Sequence, residues 1–180
     1  MNNCAEMIKI CFFVLALVAL HANASDENTI YQFKAQTSGG EEVSLDKYRG
    51  KVVIIVNGAS ECGLTQTNYV QLKELLDKYK SQGLEIAVFP SNEFGGQQFL
   101  GKKFNFEPDL YAKIETNGDN AHPLYKFLKE QQPGTLTDSI KWNFTKFLVN
   151  RKGRAIERYA PTTSPNSMIE DIEKALAESA

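Results

Sequence analysis

Apolar positions along the chain alternate between short continuous runs and one stretch with helical spacing. The run "VVIIV", residues 52–56, is β-branched and predicts a strand buried on both faces, and "LEIAVFP", residues 84–90, predicts a second strand. Between them, apolar residues recur with helical period from Tyr69 to Tyr79. A helix that begins near Thr65 is therefore expected to join two parallel strands through a right-handed crossover.

The second half of the chain continues the alternation of strands and helices. "PLYKFLKE", residues 123–130, predicts a short helix, and "FTKFLVN" with "RAIERYA", residues 144–160, predicts a hairpin around "RKG". A closing helix is expected with Ser164 as N-cap and Pro165 at its first position. Its apolar face would contain Ile169, Ile172 and Leu176. A mixed sheet with helices on both faces, and a cysteine after the first buried strand, is an α/β plan of the thioredoxin-like kind.

The N-terminus has the pattern of a secretory signal peptide. An uncharged apolar run, residues 10–20, follows a lysine and precedes "ANA", residues 22–24. Cleavage after Ala24 is expected to remove residues 1–24 and leave one domain, residues 25–180. The alternative is a membrane anchor, but the apolar run rises only about 16 Å as a helix, about half of a bilayer core. The predicted location is therefore the secretory pathway or the outside of the cell.

Charge and cysteine content narrow the possible functions. The net charge of −2 and the mixed signs along the chain give no indication of nucleic-acid binding. Removal of residues 1–24 takes away Cys4 and Cys11, so Cys62 would be the only cysteine and no internal disulfide could form. With His122 as the only remaining histidine, a Cys/His zinc site is not expected. His122 precedes a helix start, which disfavours a Cys–His hydrolase.

Cys62 lies in "NGASECGLT", residues 57–65, between the first buried strand and the helix from Thr65. Free backbone N–H groups and the positive end of the helix dipole would stabilise a thiolate at this position. A structural cysteine would more often lie inside the strand or on the apolar helix face. Position alone favours a reactive thiol over an inert buried one, and both interpretations remain open at this level.

Three segments together resemble the motifs of glutathione peroxidases. "NGASECGLT" is similar to their nucleophile segment, "FPSNEFGGQ" (residues 89–97) to their F-P-C-N-Q-F-G-x-Q segment, and "IKWNFTKFLV" (residues 140–149) to their W-N-F segment. "NGDNAHPLYKFL" and "RYAP" match in the same order. The resemblance covers nearly all of the chain after residue 24. It implies a thioredoxin-like fold and a cysteine-containing enzyme of the monomeric phospholipid hydroperoxide type.

The resemblance carries over a complete catalytic tetrad, which consists of Cys62, Gln97, Trp142 and Asn143. It implies a thiol-dependent peroxidase that reduces hydrogen peroxide and organic or lipid hydroperoxides through a cysteine sulfenic acid. The two amides and the indole N–H are neutral donors that can stabilise a thiolate and then the leaving oxygen. Each residue also has a structural alternative, since a single tryptophan is often buried in a core and Gln97 could cap a helix. No cofactor or metal is implied.

Departures from the family pattern concern packing and the reductant. Gly58 stands where the family usually has valine, which is expected to loosen the local packing. Ser91 replaces a second family cysteine that is not usually the resolving one. Members that use thioredoxin carry a resolving cysteine in the segment that corresponds to residues 97–106, and none is present here. The sulfenic acid of Cys62 would therefore meet an external thiol, with glutathione favoured and thioredoxin as the alternative.

Basic residues near the site give a weaker prediction. Lys141 and Arg158 match basic residues near the site of phospholipid hydroperoxide members and are predicted to bind substrate or reductant, whereas Leu64 replaces a basic residue that helps to hold glutathione in those members. The short segment before Trp142 implies a monomer with an open site that a membrane surface could approach transiently. A different function would be a secreted thioredoxin-fold binding or chaperone protein without turnover.

A conflict within the sequence concerns Asn143. "NFT", residues 143–145, is an N-glycosylation sequon, and a signal peptide would expose it to the glycosylation machinery. A glycan on Asn143 would block the approach of peroxide. Asn143 leads into a predicted strand and is expected to be partly buried, so it should stay unmodified in active protein.

Overall fold

The structure is a computed structural model that describes residues 28–94 and 101–179. The predicted signal peptide, residues 1–24, and Gln97 of the predicted tetrad lie outside the described residues. Within the two described ranges, no helix is long and apolar enough to span a membrane.

Five of the seven strands in the described ranges form a mixed central sheet. In chain order the strands are β1 (Lys34–Gln36), β2 (Glu42–Ser44), β3 (Val52–Val56), β4 (Leu84–Val88), β5 (Asp109–Leu110), β6 (Lys146–Val149) and β7 (Ala155–Tyr159). The central sheet has the order β5-β4-β3-β6-β7, and β1 with β2 forms a separate antiparallel pair. β3 is parallel to β4 and antiparallel to β6, β4 is parallel to β5, and β6 and β7 form the predicted antiparallel hairpin.

Helices cover both faces of this sheet. The α-helices of the described ranges are α1 (Thr65–Tyr79), α2 (Gly101–Phe104), α3 (Pro123–Gln131) and α4 (Ile169–Ala177). Val52, Ile54 and Val56 pack with α1 and α4, and Val53 and Ile55 pack with α3 and the N-terminal segment. Side chains of a strand alternate between faces, so a continuous β-branched run fills two separate cores. The predicted thioredoxin-like architecture is confirmed.

The strand–helix–strand unit around Cys62 agrees closely with the prediction. β3 and α1 lie where the sequence placed them, and β4 ends at Val88, two residues earlier than expected. Phe89 still extends the ladder, because its N–H donates to Val56 O at 2.9 Å and its carbonyl accepts from Gly58 N at 3.2 Å. Pro90 then ends the pairing, since proline has no N–H to donate.

The later elements are confirmed with altered ends. Both hairpin strands are shorter than predicted, and β6 begins at Lys146 because Phe144 adopts a left-handed φ of 65° before it. The C-terminal helix opens with a 3-10 turn, Pro165–Met168, before α4. Ser164 precedes that turn without a side-chain capping bond, and its Oγ lies 2.9 Å from Ser167 Oγ.

Short polar elements were not predicted from the pattern. β1 and β2 pair through residues that are mostly exposed and polar, with Ala35 as the buried position. An exposed ion pair between Lys34 and Glu42 joins them at 3.1 Å. Strands of three residues with so few apolar positions do not produce a recognisable alternation.

Candidate active site

The loop that carries Cys62 is held by hydrogen bonds over a few residues of the chain. Cys62 N donates to Thr65 Oγ1 at 3.1 Å, and Thr65 N donates to Cys62 O at 2.9 Å. The Thr65 hydroxyl also lies 3.4 Å from Ala59 O, which it can donate to. Cys62 is partly buried against the core beneath α1, so its thiol lies at the end of a buried strand and before a helix N-terminus, as predicted.

Gly58 corrects one expectation about this loop. A Cβ atom added at Gly58 would lie 2.6 Å from Val88 Cγ1 and 2.9 Å from the hydroxyl of Tyr69. The space that a valine would fill is thus already taken, and the expected loosening of the packing is wrong. Gly58 instead permits a close approach of α1 and β4 to the loop.

Trp142 and Asn143 are tied to the end of β3 by contacts that are distant in sequence. Asn57, the first residue after β3, donates from its amide to Trp142 O at 3.1 Å. The backbone carbonyl of Asn57 accepts a hydrogen bond from Phe144 N at 2.8 Å. Asn57 lies five positions before Cys62 in the sequence, so the structure brings the W-N-F segment to the base of the Cys62 loop.

The side chains of Trp142 and Asn143 have opposite environments. Trp142 is 49% exposed, so the structural alternative of a buried core tryptophan is not what the structure contains. Its ring lies 5.8 Å from the ring of Phe94. Asn143 is 0% exposed, and its amide donates to Phe94 O at 3.2 Å. One amide hydrogen of Asn143 is left for another acceptor, and its Oδ1 has no hydrogen-bond partner among the described residues.

Phe144 gives this segment its shape. It has a φ of 65°, although it is a bulky residue for which the left-handed region is unfavourable. Its buried ring meets Tyr69 edge-on at 5.3 Å, and its N–H is held by Asn57. This strained turn places Asn143 inside and Trp142 outside. The sequence carries no signal for it, because phenylalanine does not favour positive φ.

The remaining predicted tetrad residue, Gln97, lies outside the described residues. Phe94, three positions before it, contacts both Trp142 and Asn143. The described part of the 89–97 motif therefore reaches the W-N-F segment.

Lys141 and Arg158, the predicted reductant-binding residues, line one cavity of about 170 Å³. The other residues of its wall are Pro133, Gly134, Thr135, Thr145, Ala160 and Pro161. Lys141 is exposed and directly precedes Trp142, so the cavity opens beside the candidate site. The structure brings the two basic residues together, as a site for an anionic thiol requires.

The guanidinium of Arg158 donates hydrogen bonds to three backbone carbonyls of the protein. Its Nη1 donates to Asp138 O at 3.1 Å and Gln132 O at 3.4 Å, and its Nη2 donates to Ser139 O at 2.9 Å. These bonds hold the short loop before the W-N-F segment. Lys141 is thus the freer cation of the two for contact with a ligand.

Lys146 is a buried amine that the sequence did not single out. It is 0% exposed, and burial lowers the pKa of its ammonium to about 7. Its Nζ donates to Thr163 O at 2.6 Å and Asn68 Oδ1 at 3.2 Å, and lies within 3.4 Å of Ala160 O and Pro161 O. Lysine at a strand start usually indicates a solvated position, so no pattern could have revealed this one.

His122 caps the N-terminus of helix α3. Its Nδ1 accepts a hydrogen bond from Leu124 N at 3.2 Å, and burial lowers the pKa of its imidazole. This confirms the interpretation of His122 as a helix start. In the described ranges, no group of three or more His, Cys, Asp or Glu side chains could hold a metal ion.

The site therefore combines a partly buried thiol with an exposed indole and a buried amide, next to a cavity with basic residues. Neutral N–H donors and a thiol suit chemistry in which negative charge develops on oxygen. The exposed indole leaves room for a bulky substrate.

Comparisons with known proteins agree with this geometry. Residues 30–129 match the family model described as "Glutathione peroxidase". The chain is 52% identical over 160 residues to "Glutathione peroxidase 1" of Caenorhabditis elegans, which covers 84% of this chain and 98% of the relative. It is 49% identical over 164 residues to "Probable phospholipid hydroperoxide glutathione peroxidase" of Nicotiana sylvestris, which covers 86% of this chain and 97% of the relative.

A solved structure is similar over the same length. It is described as "Crystal structure of Trgpx in apo form", with a TM-score of 0.75 and 39% identity. The match covers 84% of this chain and 97% of that one.

Proposed function

This chain belongs to the glutathione peroxidase family, and we propose that Cys62 is the residue at which it reduces hydroperoxides. The chain is a thiol-dependent peroxidase of the phospholipid hydroperoxide type. The attachment of Trp142 and Asn143 to the base of the Cys62 loop, through Asn57, is the observation that supports this assignment most strongly. We include Gln97 in the tetrad on the motif alone.

The first step oxidises Cys62. Its thiolate attacks one oxygen of the hydroperoxide, the O–O bond breaks, and the other oxygen leaves as an alcohol or water after it takes up a proton. Cys62 becomes a sulfenic acid. The free amide hydrogen of Asn143 and the indole N–H of Trp142 stabilise the developing negative charge, as preorganised neutral donors do.

Two molecules of a thiol then restore the enzyme. The first thiol displaces hydroxide from the sulfenic sulfur, forms a mixed disulfide with Cys62 and releases water. The second thiol attacks the mixed disulfide, which releases the oxidised thiol dimer and the Cys62 thiol. The sum is one hydroperoxide and two thiols converted to one alcohol, one water and one disulfide.

Glutathione is the proposed reductant and acts as a co-substrate. It carries two carboxylates, and the cavity beside Trp142 presents the exposed Lys141 and the charge of Arg158. After residue 24 the sequence contains only Cys62, so thioredoxin would have to attack the Cys62 sulfenic acid directly, without an internal disulfide. We therefore propose thioredoxin only as the alternative reductant.

Steady-state turnover with glutathione and with thioredoxin, measured side by side, tests the reductant. Lys141→Ala should raise the KM for glutathione several-fold and leave the rate of peroxide attack unchanged, because a single surface charge contact contributes about 1 kcal/mol. Lys126→Ala, at an exposed lysine on α3, is the matched control. A faster reaction with thioredoxin, or no change of KM in Lys141→Ala, would refute this assignment.

We also propose that the protein works as a monomer whose open site admits lipid hydroperoxides at a membrane surface. The exposure of Trp142 and of Leu136, 49% and 86%, supports an uncovered site. Light scattering at micromolar concentration should give one chain per particle. A stable tetramer would contradict the proposal.

The proposed location is the secretory pathway, with residues 1–24 removed after entry. Asn143 of the sequon is 0% exposed in the folded protein, so its side-chain amide is inaccessible to the glycosylation machinery. Secreted protein should carry an unmodified Asn143 by glycopeptide mass spectrometry. A fully glycosylated sample that reduced peroxide as fast as bacterially made protein would contradict the proposal.

A further inference from the structure

Glu93 precedes Phe94, and its carboxylate accepts hydrogen bonds from three residues of the protein. Its Oε2 accepts from Ser91 Oγ at 2.9 Å, Thr116 N at 2.6 Å and Thr116 Oγ1 at 2.5 Å. Its Oε1 accepts from Asn117 N at 3.1 Å. Burial alone would raise the pKa of the Glu93 carboxyl, but the hydrogen bonds from Thr116, Ser91 and Asn117 outweigh it and lower the pKa.

Asn117 extends these contacts to the W-N-F segment. Its Nδ2 donates to Ile140 O at 2.9 Å, and its Oδ1 accepts from Ile140 N at 2.8 Å. Two bonds to one backbone residue fix its position more firmly than one bond would. Ile140 lies two positions before Trp142 in the sequence.

The contacts form a closed ring. Glu93 binds Asn117, Asn117 binds Ile140, the chain runs from Ile140 to Asn143, Asn143 binds Phe94 O, and Phe94 follows Glu93. The ring of Phe94 also packs against Trp142. Both Trp142 and Asn143 are therefore held from two sides, by Asn57 and by this ring.

We propose that Glu93 and Asn117 are positioning residues of the peroxidase site, which act by fixing Phe94 and the segment that carries Trp142 and Asn143. The proposal rests on the proposed function of those two residues. Glu93 and Ser91 stand where the family motif has glutamine and cysteine, and they bond to each other. A carboxylate has more acceptor sites than an amide, which suits a centre that receives four donors.

Trp142 is the only tryptophan in the chain, so its fluorescence reports the ring directly. Acrylamide quenching of reduced protein should increase in Glu93→Ala and Asn117→Ala, because Trp142 loses its fixed contact with Phe94. The second-order rate of Cys62 oxidation by hydrogen peroxide should fall by about tenfold, since small displacements of stabilising groups are costly. The KM for glutathione should not change. Glu93→Gln keeps one acceptor oxygen and should give intermediate values.

Glu115→Ala is the matched control. Glu115 lines the same cavity of about 500 Å³ as Glu93, and its carboxylate makes no hydrogen bond among the described residues. Glu115→Ala should match the wild type in quenching and in rate. If Glu93→Ala and Asn117→Ala also match the wild type, the proposal is wrong. If near-ultraviolet circular dichroism shows that Glu93→Ala does not fold, the results for Glu93→Gln and Asn117→Ala test the proposal instead.

Absence of peroxide reduction by the wild type would refute the proposed function. The quenching result would still show whether the closed ring of contacts fixes Trp142.

Discussion

The two described parts of the candidate site are held in place by different means. The Cys62 loop is fixed by bonds among Ala59, Cys62 and Thr65, which lie within one short stretch of chain. Trp142 and Asn143 are fixed by Asn57 and Phe94, which lie 85 and 49 positions away from them. The hydrogen bonds next to the thiol are therefore local, whereas those that hold Trp142 and Asn143 form only when distant parts of the chain have met.

The two regions are joined at Lys146. Its amine contacts Asn68 of α1, and the Asn68 amide donates to Leu64 O at 2.9 Å, just before α1 begins. Lys146 also begins β6, three positions after Asn143. A change at Lys146 should therefore affect both regions.

The largest expected effect is that of Lys146→Met on the pH dependence of the free energy of unfolding. The folded pKa of about 7 lies below the unfolded value of about 10.4, so the unfolded state binds more protons between these pH values. The free energy of unfolding of the wild type should therefore rise from pH 7 to pH 9, relative to Lys146→Met, by about 2 kcal/mol.

Urea titrations at several pH values measure this difference. Lys152→Met, at an exposed lysine in the hairpin turn, should keep the wild-type slope. Parallel stability curves for the wild type and Lys146→Met would show that Lys146 stays charged when folded.

Gly58→Val should have the next largest effect, a decrease in the free energy of unfolding. The added atoms overlap with Val88 and with Tyr69 OH, and overpacking of a filled core costs about 1–3 kcal/mol. Gly63→Ala is the control in the same loop, because a Cβ there meets nothing within 4 Å. Thermal unfolding that ranks the two variants equally would contradict the tight packing assigned to Gly58.

Two substitutions with the smallest expected effects on stability should each change the readout of only one region. Thr65→Ala removes the two side-chain bonds of the loop, from Cys62 N and to Ala59 O, and Asn57→Ala removes the long-range bond to Trp142 O, each at a cost of about 1 kcal/mol. Thr65→Ala should change the alkylation rate of Cys62 and leave acrylamide quenching of Trp142 unchanged. Asn57→Ala should increase the quenching. Equal changes of both readouts in each variant would contradict the separate fixing of the two regions. Thr65→Ser should restore the wild-type alkylation rate of Cys62.

The same distinction explains what the sequence could predict. Residues 52–56 and the period from Tyr69 to Tyr79 determine where Cys62 lies, because a buried strand and an amphipathic helix leave only one short loop between them. The motifs identified Trp142 and Asn143 as candidates. The opposite exposure of these neighbours depends on the left-handed φ of Phe144, which no local preference indicates.

Long-range polar contacts could not be predicted from the sequence for a related reason. Lys146, Glu93 and Asn117 are residue types that are usually solvated, and their partners lie far away in the chain. Gly58 shows the opposite case, in which a missing side chain suggested loose packing although Tyr69 fills the space. Pairwise geometry, and not residue type, decides each of these positions.

The most direct test of the account is the reaction of hydrogen peroxide with wild-type protein and with Cys62→Ser, both without residues 1–24. After one equivalent of peroxide and then glutathione, intact mass spectrometry should find one glutathione attached to the wild type at Cys62. Peroxide consumption with excess glutathione should be rapid for the wild type and absent for Cys62→Ser. Peroxide consumption by Cys62→Ser at a rate near that of the wild type would contradict the central claim that Cys62 is the peroxidatic residue.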